Sequence, residues 1–587
     1  MEAREKSVNF ITKEKKIVIP FFQRPYVWDE DNWKDLFDDL IKDKNHFLGS
    51  IIIKQHKRSG EVNEAIVIDG QQRLTTLSIL IKAIYDCFDD ELKSNTKDKI
   101  NNCLSYKIED TDRDWHIKIV HSRKDSEYYE KVVNGEVPEE TENESKIFAC
   151  YHYFVKRLMS IDMNQRAKLF NKILNDDNKM LVVIDINDNE DEQSIFDTIN
   201  TAGVRLTCAD SIKNNIFQRG FEIFGNNSPK VKAMYDEYWE KLFLLDNETI
   251  DFWSIEKTTG RFTRSNLEIF LQAYAVIKEI YNPTGDTLSD LTARYKSYFQ
   301  ENSNANNYEG ILKEISKYAK LYKDKIINCD PNDEYSSSDT ARRLFHVLQV
   351  NEITTLHAYI LYLFYTFEKD EKQLHQKLNE LEQYVVYNSI AKVSERIKNY
   401  NKLCVEFIKG DKNPKEELGK ISESDFVYGL RNVSNKQATL WLFYIELFRR
   451  KTEGKFDKET LNYIYTLEHV MPQKWEEYWS VVPVVNEQGD VIEDIELAKA
   501  SRRSAIYSLG NMTLLKSKLN TSIRNYTLDK KINGEGNKKG IKEYTELTIT
   551  NRDVIENYDK SKIWNEKTIY DRTVQLAKEL MKCWGFV

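Results

Sequence analysis

Proline and glycine are scarce, 9 and 20 among 587 residues. That scarcity excludes collagen-like, linker-dominated and Gly-rich propeller architectures. The seven cysteines (87, 103, 150, 208, 329, 404 and 583) are scattered, and no two have CxxC spacing. A Cys-based zinc ribbon and a disulfide scaffold are therefore excluded, and free thiols fit a reducing cytoplasm. No apolar run reaches the roughly 20 residues of a membrane span. The opening MEAREKSVNFITKEKK also lacks the apolar core of a secretory signal. These absences predict a soluble cytoplasmic protein without membrane contact. An excess of positive charge is missing too, since 86 Lys+Arg stand against 95 Asp+Glu for a net charge of −9. A uniformly basic nucleic-acid binder is excluded, so any such contact must come from a local patch.

What is present suffices for several buried cores: 41% hydrophobic residues, with 33 Tyr and 27 Phe. At about 150 residues per domain, the length suggests three or four domains. The first 90 residues read as alternating strands and helices, with strands at 17–19, 47–53 and 65–69. Trp33, Leu36, Phe37, Leu40 and Ile41 recur at helical spacing, predicting a one-faced helix over 30–43. A second helix is expected over about 73–88. The apolar run 180–186 reads as a strand buried in a mixed sheet, followed by helices at 191–200 and 208–219. Thr207 and Asp210 form a capping box for the second of these. From about 220 to 450 the periodicity is helical. The last 135 residues show β-like runs at 463–470 and 505–509 flanking an acidic insertion, and end in an amphipathic helix. The expected organisation is α+β and multidomain, with domains at 1–220, 221–454 and 455–587.

Two segments carry polar chemistry. In Val67-Ile-Asp-Gly-Gln-Gln-Arg73 a strand gives way to a helix through Asp69, Gly70, Gln71, Gln72 and Arg73. A helix N-terminus offers unpaired N–H groups to a phosphate, and Arg73 adds charge-assisted bonds. Asp69 suits Mg²⁺ or an attacking water, and Gln71 or Gln72 could position that water or read a base edge. Gln23-Arg24 repeats the Gln-Arg pair. The chain contains no GxxxxGK[ST], so this is not a P-loop.

The second segment joins Glu468-His469-Val-Met-Pro472 to Leu509-Gly-Asn511 and Asn520. A ββα-metal (HNH) nuclease needs a His base to deprotonate water and one divalent ion on oxygen ligands to stabilise the leaving oxyanion. His469 is the candidate base, Glu468 and Asn520 the candidate metal ligands, and Asn511 the amide bracing the loop. A zinc site fails, because no second His lies close on one helix face. Residues 501–543 hold ten Lys or Arg against three acids, a stripe suited to a phosphate backbone. Lys516, Lys518, Arg524, Lys530 and Lys531 are the candidate DNA contacts.

IPFFQRPYVW, FLGSIII, VIDGQQRLTTL and SIFDTINTAGVRLTCADSIKNNIF, in that order, resemble the GmrS-type half of GmrSD modification-dependent restriction enzymes over about 10–220. That resemblance implies a ParB/sulfiredoxin-like α/β core. It also implies NTP binding and hydrolysis at Gln23, Arg24, Asp69, Gly70, Gln71, Gln72 and Arg73. Asn200, Gly203, Lys213 and Asn214 match the family's second block; Lys213 either reaches a phosphate or lies on the helix surface. The step from Asn511 to Asn520 resembles that in the HNH domain of RNA-guided CRISPR enzymes. Together with Trp564–Trp584 and Arg572 it resembles the GmrD-type half over about 455–587, apart from an acidic insertion at 476–500. One chain with both halves resembles a single-polypeptide type IV restriction enzyme. The resemblance implies antiviral defence by NTP-stimulated cleavage of modified phage DNA, using Mg²⁺, Mn²⁺ or a similar ion and GTP, ATP or UTP. A homodimer is left open. Two other readings stand beside it: a nucleotide-dependent DNA-binding regulator with an inactive HNH module, and an RNase effector of abortive infection.

Overall fold

The computed structural model describes residues 2–42, 46–56, 62–109, 113–121, 123–138, 145–186, 207–225, 228–259, 262–391, 399–477, 479–516, 526–535, 538–543 and 545–587. The chain is mixed α/β and divides into two units, Met1–Asp236 and Glu237–Val587. The expected helical middle and C-terminal segments lie almost entirely in the second unit. Among the described residues no helix is long and apolar enough to cross a membrane.

In the first unit, a polar strand and five short runs bearing Ile or Val pair as a six-stranded mixed sheet. Its strands are β1 (Glu2–Lys6), β2 (Lys16–Val18), β3 (Gly49–His56), β4 (Glu64–Asp69), β5 (Ile119–Val120) and β6 (Leu181–Ile186), in the order β1-β6-β3-β4-β2-β5. Strand β3 runs parallel to β6, and β2 parallel to β4 and β5; the pairs β1–β6 and β3–β4 are antiparallel. The run at 180–186, apolar except for Asp185, fits this order, because β6 lies between two neighbours. Opposite β3 the register of β4 slips: Ile52 faces Asp69 and Ile53 faces Val67, leaving Ile68 as an extra residue. A bulge bends a strand and re-aims the side chains beyond it. Here the residue beyond it is Asp69.

Helix α1 (Glu30–Ile41) starts at an Asp29–Asn32 capping box and buries Trp33, Leu36, Phe37 and Leu40. Helix α2 (Gln71–Asp86) is buried continuously from Leu74 to Ile84. Its Thr75, Thr76 and Ser78 hydroxyls donate to the carbonyls of Gln71, Gln72 and Thr75, so these buried polar groups are satisfied. Helix α3 (Cys208–Phe224) starts where the Asp210 N–H donates to Thr207 Oγ1 at 3.0 Å. The helix expected at 191–200, with Asn200 and Gly203, lies outside the described residues.

In the second unit the elements that matter for function are α4 (Glu371–Ile390), α5 (Asn435–Glu453), β7 (Tyr465–His469), α6 (Ile495–Ile506), β8 (Met512–Lys516), α7 (Leu528–Asn533) and α8 (Glu566–Cys583). The run expected as β-like at 505–509 is instead the end of α6 and a 3-10 turn. Asp494 caps this helix by accepting from Leu497 N at 2.8 Å, and Arg502 and Ile506 face inward one turn apart. Strands β7 and β8 are antiparallel, pairing Glu468 with Thr513 and His469 with Met512. Buried Arg449 of α5 ties the unit together, donating to Asp553 at 2.8 and 3.0 Å and to Glu579 of α8 at 2.6 and 2.8 Å. Buried charges persist where they are paired in this way.

Candidate functional site

Gly70 joins β4 to α2 at φ +89°. A Cβ there would lie 2.9–3.0 Å from Ile51 and the Ser50 carbonyl, so only glycine makes this turn. On the first turn of α2, Arg73 folds back over Gly49 and donates from Nη1 to Ser50 O at 2.8 Å. Its Nε is buried without a partner. Three amides lace the 23–28 loop to this junction. Gln23 Nε2 donates to Val67 O at 2.7 Å, and Gln71 Nε2 donates to Arg24 O at 2.9 Å. Gln72 Oε1 accepts from Val27 N at 2.8 Å and Trp28 N at 3.2 Å, while its Nε2 donates to Pro25 O at 3.1 Å. Both ends of the Gln72 amide bond to backbone, so this side chain braces the loop that carries Arg24.

Charge converges here. Burial raises the Asp69 carboxyl above its ordinary value, against the pull of the Gly70 N–H and of Arg73 and Arg24. Burial lowers both guanidinium groups; Asp69 opposes this at Arg73, and Asp210 and Asp69 oppose it at Arg24. Burial also works against ionisation of Asp210. Lys213, whose Nζ is 2.9 Å away, outweighs it together with Thr207 and Arg24 and holds that carboxyl below the usual range. Lys213 is buried rather than on the helix surface, and the Asn214 Oδ1 is buried without a partner. Phe21 and Phe22 pack on Phe221, and Phe22 on Phe217, bringing α3 against the arginine-bearing loop. Two guanidinium groups and a helix N-terminus, gathered around one carboxylate, suit a phosphate-bearing ligand. In the sequence Asp210 reads only as a helix cap. Its role as a charge partner of Arg24 depends on this long-range packing.

In the second unit, β7 ends on Glu468 and His469. Asn511 holds the chain that follows: its Oδ1 accepts from Met471 N at 2.9 Å, and its Nδ2 donates to Met471 O at 2.9 Å and Ile506 O at 3.1 Å. Burial and the nearby Lys531 lower the His469 pKa to about 4, and its Nε2 is buried without a partner. The imidazole is therefore neutral near pH 7, with one ring nitrogen unengaged among the described residues. Glu468 Oε1 accepts from Lys531 Nζ at 2.5 Å, and the same ammonium donates to the His469 carbonyl at 2.9 Å. Burial raises the Glu468 carboxyl while Lys531 pulls it back.

Lys531 is thus corrected as a DNA contact. Its side chain is about 1% exposed and its charge is spent on Glu468. Leu528, Lys531 and Ile532 share one helical face, and that spacing was the available signal. Arg502, counted in the same basic stripe, is also interior, paired with Glu566 at 2.7 Å. Lys516 is exposed and pairs with Glu546 at 3.2 Å, and Lys530 lies over the Tyr526 ring. Lys518, Arg524 and Asn520 lie outside the described residues. Arg572 is buried and donates to the carbonyls of Gly510, Met512 and Ile549, bracing the strand that pairs with β7.

The family model of the GmrSD restriction endonuclease N-terminal domain matches residues 8–217, and that of the C-terminal domain matches residues 422–579. The chain belongs to the GmrSD restriction endonuclease family. No curated protein matches it. Membership implies a restriction endonuclease acting on modified DNA. The two matches contain both charged clusters of this GmrSD-family chain.

A divalent ion beside Glu468 is chemically compatible with these residues. The only described candidate ligand is a hard carboxylate, and among the described residues no group of three His, Cys, Asp or Glu could hold a metal. That donor set suits Mg²⁺ or Mn²⁺, which keep several waters, better than a zinc cage. That carboxylate is paired with the Lys531 ammonium, 2.5 Å away.

Proposed function

We propose that this chain is an NTP-stimulated, divalent-metal-dependent endonuclease of the HNH type that restricts phage DNA carrying a modified base or backbone. The observation that carries the nuclease half is the unengaged Nε2 of a neutral His469 beside Glu468. His469 takes the proton of the attacking water. Asn511 fixes the turn after it by holding both polar atoms of the Met471 backbone. Glu468, with Asn520, would hold a divalent ion, which supplies charge to the leaving oxygen.

The N-terminal half is proposed to bind and hydrolyse an NTP. Arg24 and Arg73 bind its phosphates, Asp69 orients the water, and the ParB/sulfiredoxin-like core carries them. The amide lacing of the 23–28 loop supports this reading, since Gln71 holds the Arg24 carbonyl and so keeps that guanidinium near Asp69.

Cleavage of phage DNA with defined modifications, with and without each NTP and Mg²⁺, tests the whole. His469→Ala is expected to abolish cutting and to leave NTP hydrolysis and DNA binding intact; surviving cleavage rejects the base. Arg73→Ala is expected to remove the nucleotide response, and an unchanged response rejects the coupling. RNA cut in preference to duplex DNA would replace the substrate.

A further inference from the structure

Lys531 is placed where a surface-binding lysine would be useless. It sits on α7 between Leu528 and Ile532, both buried, and its own side chain is about 1% exposed. Taking an ammonium out of water is costly unless it is paired and hydrogen-bonded. Here the cost is offset by two specific acceptors, Glu468 Oε1 at 2.5 Å and the His469 carbonyl at 2.9 Å. Those acceptors belong to the two residues that carry the nuclease chemistry. No other cation bonds Glu468 among the described residues.

We propose that Lys531 is the resident cation of this site, holding Glu468 and the His469 carbonyl until a divalent ion takes the carboxylate, and that it thereby sets the affinity for that ion. The inference rests on the nuclease reading of Glu468 and His469. The physical basis is competition. An ion that needs the carboxylate binds only the fraction of molecules in which Lys531 has given it up, so its apparent affinity is reduced by that fraction. A positive charge left a few ångströms away opposes the incoming ion further. The arrangement keeps the strand end ordered without metal and makes metal loading weak.

The test uses the full chain and Mn²⁺ alone, without DNA or nucleotide, with bound ion counted by electron paramagnetic resonance. Glu468→Gln identifies the fraction of binding that belongs to this site. Lys531→Gln keeps hydrogen-bond donors and removes the charge, and it is expected to bind Mn²⁺ about tenfold more tightly than the wild type. Lys531→Arg, which grips a carboxylate with a bidentate fork, is expected to bind it more weakly. Equal or reversed affinities in folded variants overturn the proposal. Should Lys531→Gln fail to fold, Lys531→Arg decides alone. The nuclease reading is scored separately, by cleavage in the wild type and in His469→Ala. Intact cleavage with unchanged Mn²⁺ affinities would therefore remove Lys531's role and leave that reading standing.

Discussion

Asn511 and Met471 bond to each other twice, Met471 N donating to Oδ1 and Nδ2 donating to Met471 O, both at 2.9 Å. The amide also donates to Ile506 O and accepts from Trp564 Nε1 at 3.3 Å, so one buried side chain ties the turn after His469 to α6 and to the residues before α8. Asn511→Asp keeps the acceptors but sets a carboxylate oxygen against two carbonyl oxygens. We expect lost DNA cleavage, a stability loss of about 2–4 kcal/mol in the second unit, and unchanged NTP hydrolysis. Denaturant melts and a cleavage assay check this; undiminished cutting would show that the turn does not depend on the amide.

Gln72 plays the corresponding part in the first unit, with three bonds to the backbone of residues 25–28. Gln72→Leu removes all three and frees the loop that carries Arg24. Nucleotide affinity, measured by calorimetry with GTP, ATP and UTP, is expected to fall about tenfold, equivalent to one or two lost net hydrogen bonds. Gln72→Glu keeps the two acceptor bonds but sets a carboxylate oxygen against Pro25 O, and it too is expected to bind nucleotide more weakly than the wild type. Equal affinities in all three proteins would mean that Arg24 needs no such anchoring.

Gln72, unlike Asn511, marks where the sequence stops being legible. The strand before Asp69, the one-faced helix α1 and the capped start of α3 follow from local period and turn chemistry, and each was read close to its observed bounds. The jobs of Gln72 and Lys531 depend on partners far along the chain. An amide beside an arginine reads equally well as a ligand group or as a brace. Lys531 was counted as surface charge, although its spacing from Leu528 and Ile532 put it on the buried face of a helix too short to show clear periodicity. The run 505–509 misled for the opposite reason: five residues cannot distinguish a strand from the last turn of a helix whose cap, Asp494, lies well upstream.

His121 offers a pH-dependent test of the first unit. Both ring nitrogens are buried without partners, the ring lies 4.3 Å from that of Tyr129, and burial lowers its pKa from 6.5 to about 3. Between those values the unfolded chain holds the proton and the folded chain does not. Folding therefore weakens as pH falls through that window, by up to about 1.4 kcal/mol per pH unit. His121→Phe removes the titration. The stability difference between variant and wild type is expected to move in the variant's favour as pH drops from about 6.5 toward 4, followed as the thermal midpoint of the first unit. A constant difference would show that the ring is hydrated in solution.

Arg73 separates charge from geometry at the proposed nucleotide site. Its Nη1 is fixed on Ser50 O at 2.8 Å, and its guanidinium fills the space that the missing side chain of Gly49 leaves. A planar fork anchored at one nitrogen can present the others to phosphate oxygens in a fixed direction, whereas an ammonium on a flexible stem is a point charge. Arg73→Lys keeps the charge that acts on Asp69 but gives up that fixed direction. If direction matters, Arg73→Lys hydrolyses NTP more than about tenfold more slowly than the wild type and sits closer to Arg73→Ala, as read by phosphate release at saturating nucleotide. If charge alone matters, Arg73→Lys retains most of the rate, and the fit between Gly49 and Arg73 serves folding rather than catalysis.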